Sequence, residues 1–219
     1  MKNPLGLSRL RSSADKLFLE GSLSKKAREA SEKERRWVLS NMLRLFPRDA
    51  QILDIGCGGG FLLHSISEVM QTSRLFGIDI GDSLIQFAKE RTKANFVLAS
   101  ANKIPFKQKT FDIIIMFDLL HHVTNVKRVV PDIMRALKSP GYFIIVEQGV
   151  PSRTTSVLAY IYTKVLAMLT KQPWTVRFLT PKEIRLLFPH VKKMHVREYS
   201  SKIFWRFKFV RMFLIVEKT

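Results

Sequence analysis

The 219-residue chain contains one cysteine, Cys57, which excludes a disulfide framework and any multi-cysteine zinc site. Acidic residues are scarce: 18 Asp and Glu stand against 37 Lys and Arg, a formal charge of +19. An excess of that size points to an anionic partner, either nucleic acid or a membrane surface. Long apolar runs are also missing. The N-terminus lacks the apolar core of a signal peptide, and the longest apolar stretch, Val157 to Leu169, is interrupted by Thr163 and Lys164. A spanning helix needs about 20 apolar residues, so the expectation is a cytoplasmic protein, peripheral on a membrane at most. With 46% apolar residues the chain can nevertheless build a sizeable core, and wholesale disorder is excluded.

The position of the charge says more than its total. Residues 1–50 carry a net +6, residues 51–150 only +2, and residues 151–219 a net +11. The basic surface therefore belongs to the two ends, and the middle is nearly neutral.

Residues 24–46 read as one helix. Trp37, Val38, Met42, Leu45 and Phe46 recur at helical spacing, the charge-rich Lys25–Arg36 run gives a solvated face, and Pro47 closes it. From Gln51 the pattern becomes an alternation of strands and helices. Strands are predicted at Ile52–Ile55, Leu75–Ile80, Asn95–Ala99, Phe111–Phe117 and Tyr142–Glu147. Helices are predicted at Phe61–Met70, at Asp82–Arg91 with Asp82 or Ser83 as its cap, and at Val126–Leu137. Lys138–Gly141 reads as a turn. Five such alternations mean a doubly wound, mostly parallel sheet, and the unbroken apolar run Ile113–Phe117 suits a strand buried on both faces. Beyond it, Ser156–Leu169 reads as an apolar helix. Thr180-Pro181-Lys182-Glu183 is a capping box that starts a helix to Phe188. Val191–Ser200 and Phe207–Glu217 read as closing antiparallel strands.

After the first strand come Asp54-Ile-Gly56-Cys57-Gly58-Gly59-Gly60. Glycine at every second position permits a tight strand-to-helix turn and lets a ligand lie against bare backbone. The next helix begins at Phe61 and offers its free N–H groups to a carboxylate or phosphate. The spacing is not that of a dinucleotide fingerprint, and no Gly-Lys-Ser/Thr follows to make a P-loop.

These residues resemble the first motif of the class I S-adenosylmethionine-dependent methyltransferases, acid-x-Gly-x-Gly-x-Gly, and in particular the small-molecule, ubiquinone- and menaquinone-type branch. Gly77-Ile-Asp79-Ile80 looks like the end of the family's second strand, Phe111-Asp112 with Asp118-Leu-Leu-His121-His122 is similar to its fourth-strand pattern, and Leu137-Lys-Ser-Pro-Gly141 is similar to the turn before its fifth. The resemblance covers about residues 50–150. It implies a Rossmann-like α/β fold with a seven-stranded sheet, an antiparallel edge strand, an N-terminal helix and a helical lid after the fifth strand. One domain is implied: a cap over 1–50, a cofactor-binding core over 51–150, and lid and closing strands over 151–219.

The resemblance further implies S-adenosyl-L-methionine as cofactor. Asp54, Gly56, Cys57, Gly58 and Gly60 would hold its methionine end. Asp79 would take both ribose hydroxyls, a carboxylate being the natural bidentate acceptor for a diol, and Ile80 would pack on the adenine. Ser100 and Ala101 would face the adenine edge, and Phe117 completes the set. Ser100 departs from the family, which usually has aspartate there to accept from the adenine amino group. A neutral acceptor contributes about 0.5–1.5 kcal/mol where a charged one contributes about 1.5–3 kcal/mol.

His121 and His122 lie where ligands bind in open α/β sheets, beyond the carboxyl end of a strand. Either is a candidate general base. Cys57 has no partner base and is not read as a nucleophile. No metal is expected, since no set of oxygen ligands assembles around Asp118. His64, His190 and His195 read as structural. The Asn/Asp-Pro-Pro-aromatic signature of base methylation is replaced by Phe117-Asp-Leu-Leu120, and the Pro-Cys nucleophile of cytosine methylation is absent. The leading expectation is therefore a methyltransferase for a small hydrophobic acceptor, such as a quinone precursor, lipid or polyketide-like molecule, near an anionic membrane surface. Two alternatives stay open: an RNA methyltransferase gripping phosphates with its basic flanks, and a non-catalytic methyltransferase-like subunit. The helix Ser156–Leu169 fits either a core-facing lid or an interfacial helix. The alternating Ile203–Phe209 fits a half-buried strand, an RNA-stacking ribbon or a membrane-edge anchor.

Overall fold

A computed structural model describes residues 32–41, 49–70, 74–123, 125–170, 177–188, 191–200 and 208–219. Residues 32–41 are helical, with Val38 and Asn41 buried. The rest of the helix expected over 24–46, including Met42, Leu45, Phe46 and Pro47, lies outside the described residues, as do His190 and residues 203–207 of the alternating segment.

The chain divides into two compact units, Met1–Ala101 and Asn102–Thr219. In the first, β1 (Ile52–Ile55), α1 (Phe61–Met70), β2 (Leu75–Asp79), α2 (Asp82–Arg91) and β3 (Asn95–Leu98) follow one another. β1 pairs parallel with β2, and β2 with β3. All four residues of β1 are buried, whereas three of the four in β3 are exposed. The predicted cap of α2 is corrected: Gly81 occupies the cap position without a side-chain bond, and Asp82 is already helical. The reason is local, because the Gly81 N–H is taken by the Asp79 carboxylate at 2.8 Å.

The second unit contains β4 (Phe111–Phe117), a 3₁₀ turn (Leu120–His122), α3 (Val126–Ala136), β5 (Leu137–Gly149), α4 (Arg153–Thr170), α5 (Pro181–Leu187), β6 (Val191–Ser200) and β7 (Lys208–Lys218). β4 and β5 are parallel, with a register irregularity between Phe111 and Ile113. Opposite that irregularity the expected turn Lys138–Gly141 is absorbed into β5, and Lys138 Nζ holds both oxygens of Asp112 at 2.9 Å. β7 pairs antiparallel with β5 on one side and β6 on the other. Its residues Phe209 to Val216 are all buried, and β6 exposes Lys192, Lys193 and His195. Charged side chains along an outer strand discourage pairing with another chain. α5 starts as predicted. Thr180 Oγ1 accepts from the Glu183 N–H while Glu183 accepts from the Thr180 N–H, and Pro181 takes the first helical position.

In α4 the apolar residues crowd the stretch Val157–Leu169, and burial distinguishes among them. Ser156 and Ala159 are buried, the Ser156 hydroxyl donating to the Phe178 carbonyl at 2.5 Å and Ala159 packing with Val150, Phe178 and Phe209. Val157, Leu158, Ile161, Val165 and Met168 remain exposed. Among the side chains described in this helix, the buried ones are small and the large apolar ones are exposed.

Candidate functional site

Two groups of residues carry chemistry, one in each unit. In the first unit, β1 ends in a turn in which Gly56, Gly58 and Gly60 have φ of +74°, +50° and +73°. Side-chain-bearing residues rarely adopt that conformation, so the alternating glycines are required by the backbone itself. The turn is tied to β2. The Gly56 and Cys57 N–H groups donate to the Ile78 carbonyl, and Gly58 N–H donates to Asp79 Oδ2 at 2.9 Å. With Gly81 on its other oxygen, the Asp79 carboxylate bridges the glycine turn and the start of α2.

Asp54 is 2% exposed, and its Oδ1 is buried without a partner. Burial, and then the nearby charge of Asp79, push its carboxyl well above the usual carboxylate range. A buried carboxyl with an orphan oxygen is suited to a cationic ligand group. Burial, with the charges of Asp54 and Asp79, also raises the Cys57 thiol, which leaves it inert as a nucleophile. Ile80 is 72% exposed at the strand end, an apolar side chain open to a flat partner. Ser100 and Ala101 follow β3 and are half-buried, and Ala99 N–H bonds back to the Asp79 carbonyl.

In the second unit the chain turns sharply after β4, with Asp118 at φ +51°. Aspartate tolerates that conformation better than most residues. The buried Arg211 of β7 meets both Asp118 carboxylate oxygens, Nη2 lying 2.8 Å from Oδ2. Its guanidinium also lies over the half-buried Phe117 ring, 5.5 Å from the centroid. His121 Nδ1 is hydrogen-bonded to Glu147 of β5, a carboxylate 1% exposed that also accepts from the Leu120 N–H at 2.6 Å and the Gln148 N–H at 2.8 Å. The His121 ring stacks on Phe178, with centroids 5.6 Å apart.

Burial alone would lower the His121 pKa. The Glu147 charge and hydrogen bond, with Asp118, outweigh it, so the imidazole sits above its ordinary value of 6.5. His122 is driven the other way, by desolvation and then by His121. Asp118, His121 and Glu147 have ligand atoms within 4.8 Å of one another. Asp118, however, is held by a guanidinium and Glu147 by two backbone amides, partners that a dication would have to displace.

The sequence reading had singled out neither Glu147 nor Arg211. Both carried a signal: Glu147 closes the apolar run Tyr142–Val146, and Arg211 interrupts the apolar run Phe209–Val216.

A family model described as a methyltransferase domain matches residues 47–183. The chain belongs to the methyltransferase domain family. It is of the class I, S-adenosylmethionine-dependent kind, with the mostly parallel Rossmann-like fold and antiparallel edge that the sequence predicts. Among curated methyltransferases, the chain is 28% identical over 138 residues to the demethylmenaquinone methyltransferase of Tropheryma whipplei, covering 59% of this chain and 57% of that one. It is 31% identical over 107 residues to an uncharacterised methyltransferase, YcgJ, of Bacillus subtilis, covering 46% and 42%. The match thus spans little more than half of the first and less than half of the second. A solved S-adenosylmethionine-dependent methyltransferase of Methanosarcina mazei superposes with a TM-score of 0.64 at 22% identity, over 80% of this chain and 95% of that one. The geranyl diphosphate C-methyltransferase of Streptomyces coelicolor, solved with S-adenosyl-L-homocysteine, gives 0.70 at 10% identity, over 88% and 81%. These methyltransferase structures show the shared fold.

Proposed function

We propose that this methyltransferase transfers a methyl group from S-adenosyl-L-methionine to a small hydrophobic acceptor of the quinone-precursor, lipid or polyketide-like class. The reading rests first on the glycine turn locked to Asp79 and on the buried Asp54, whose Oδ1 has no partner. The cofactor supplies a sulfonium methyl, open to in-line displacement. Asp54 and the Gly56–Gly60 turn are assigned its methionine end, Asp79 the ribose diol, and Ile80 with Ser100 and Ala101 the adenine. His121 removes the acceptor proton where the accepting atom carries one. His122 is the poorer base, because desolvation and its charged neighbour hold it below the ordinary imidazole range. The hydrophobic acceptor class is supported by the quinone-type methyltransferases among the relatives.

The acceptor is sought by incubating the protein and methyl-labelled cofactor with polar, lipid and RNA extracts. A lipid-soluble product heavier by one labelled methyl is expected. Label confined to RNA would replace this reading with nucleic-acid methylation. Ser100→Asp supplies a second check, since it restores a charged acceptor near the adenine. Cofactor affinity should hold or rise by about 5-fold, the ~1 kcal/mol between a neutral and a charged hydrogen bond. A large loss in a folded variant would show that Ser100 does not face the adenine.

A second reading concerns place. Among the described residues no helix is long and apolar enough to cross a membrane. The exposed Val157, Leu158, Ile161, Val165 and Met168 of α4, in a chain of net charge +19, favour peripheral attachment to an anionic bilayer. Leu158 and Ile161 are 50% and 52% exposed, so serine in both places should leave the fold and cofactor binding intact. Sedimentation with phosphatidylserine-containing liposomes at physiological salt is expected to fall several-fold in that variant. A wild-type protein that ignores such liposomes would end the membrane reading and leave methyl transfer standing.

A further inference from the structure

We propose that Glu147 is a positioning residue that holds His121 with its proton on Nδ1 and so presents Nε2 as the proton-accepting nitrogen. The inference deepens the reading of His121 as the base and rests on it.

An imidazole has two nitrogens, and only the one without hydrogen can accept a proton. Which one that is depends on the partner of the other. At His121 the partner is fixed from three sides. Glu147 is buried at the end of β5, and its two oxygens accept from the Leu120 and Gln148 backbone N–H groups. A carboxylate held by two rigid amides cannot rotate away from the ring. Glu147 Oε1, facing His121 Nδ1, is acceptor-only while ionised, so Nδ1 must carry the hydrogen.

The second constraint is the ring plane, set by the stack on Phe178, which itself packs edge-on against Phe209 of β7. The third is the backbone. The His121 carbonyl accepts from the Arg177 N–H at 3.0 Å, which ties the 3₁₀ turn to the segment leading into α5. With Nδ1, the ring plane and the main chain committed, Nε2 is the nitrogen without a hydrogen and the one able to accept a proton.

The remaining charged neighbours are Asp118 at the end of β4, Arg211 on β7 and His122 on the same turn. Asp118 favours the imidazolium and Arg211 opposes it. Their mutual ion pair partly cancels both, and Glu147 is left as the dominant favourable charge. A buried glutamate with amide, imidazole and no solvent is therefore the group that sets both tautomer and basicity here.

The test is heteronuclear NMR of protein with ¹⁵N-labelled histidine, with the His121 signals assigned by their loss in His121→Asn. In the wild type, neutral His121 is expected as the Nδ1–H tautomer, titrating above 6.5. In Glu147→Gln the charge is lost and burial dominates, so the midpoint should move below 6.5; Glu147→Asp, which keeps the charge, should recover part of the shift. A purely structural role would lower thermal stability without moving tautomer or midpoint. Neutral wild-type His121 with its hydrogen on Nε2 would overturn the proposal, and that reading needs no glutamate variant to fold. An unchanged midpoint in folded Glu147→Gln would overturn it too. Should the tautomer hold while His121→Asn still forms the methylated product at the wild-type rate, the base assignment fails and the positioning role of Glu147 stands.

Discussion

Asp79→Ala should lose about 100-fold in affinity for S-adenosyl-L-methionine, measured by calorimetry. That is the lower bound from removing two charge-assisted hydrogen bonds to the ribose diol, each contributing about 1.5–3 kcal/mol, at about 1.4 kcal/mol per decade. Asp79 has a second duty that the variant also removes. Its oxygens hold the Gly58 and Gly81 N–H groups, at 2.9 and 2.8 Å, and these donors would then turn to water or stay unmet. A loss of about 1 kcal/mol in stability is expected beside the binding defect. Asp79→Asn separates the two effects. It keeps one acceptor oxygen for the turn but loses the charge and opposes an amide to the other N–H, so its affinity should fall between those of wild type and alanine. A folded Asp79→Ala protein with unchanged affinity would remove Asp79 from the cofactor site.

The turn that Asp79 secures was legible because its cause is local. Glycine at alternate positions after an apolar strand states a backbone requirement, and the positive φ at Gly56, Gly58 and Gly60 meets it. The Thr180–Glu183 box was legible for the same reason, since both partners lie within one helical turn. What escaped notice depends on distance along the chain. Glu147 meets Leu120 across 27 residues, and Arg211 meets Asp118 across 93. No periodicity announces such pairs; the only trace is a charge that closes or interrupts an apolar run. The cap of α2 was misread because Asp82 and Ser83 are good capping types, and the Asp79 bond to Gly81 decided the matter from the preceding strand. In α4 the apolar residues are so continuous that spacing cannot choose a face. Ser156 and Ala159 choose it, because a close approach to Phe178 is possible only where the side chains are small.

Asp54→Asn is expected to move stability and binding in opposite directions. Buried at 2% exposure with an orphan Oδ1, the Asp54 carboxyl has a folded-state pKa well above its ordinary 3.8. A group raised in this way favours the folded state below its unfolded pKa, and that contribution is lost as pH rises through the folded value. At neutral pH the ligand-free protein therefore carries the cost of a desolvated carboxyl facing Asp79. Asparagine removes the charge and the repulsion, although its amide brings two donors that also need partners. A net gain of about 1–3 kcal/mol at pH 7 follows, shrinking toward zero as the pH falls to about 4 and the wild-type carboxyl is protonated anyway. Cofactor affinity should fall over the same substitution, on the order of 10- to 100-fold, because a cationic group of the ligand loses its charged acceptor. Thermal melts of wild type and variant across pH 4–8, with and without S-adenosyl-L-methionine, read both effects on one sample. Ligand should stabilise the wild type more than the variant and narrow or reverse the gap between them. A variant less stable than wild type at pH 7 without ligand would mean that Asp54 is satisfied in the free protein. An undiminished ligand-induced shift in the variant would mean that the carboxylate does not meet the cofactor.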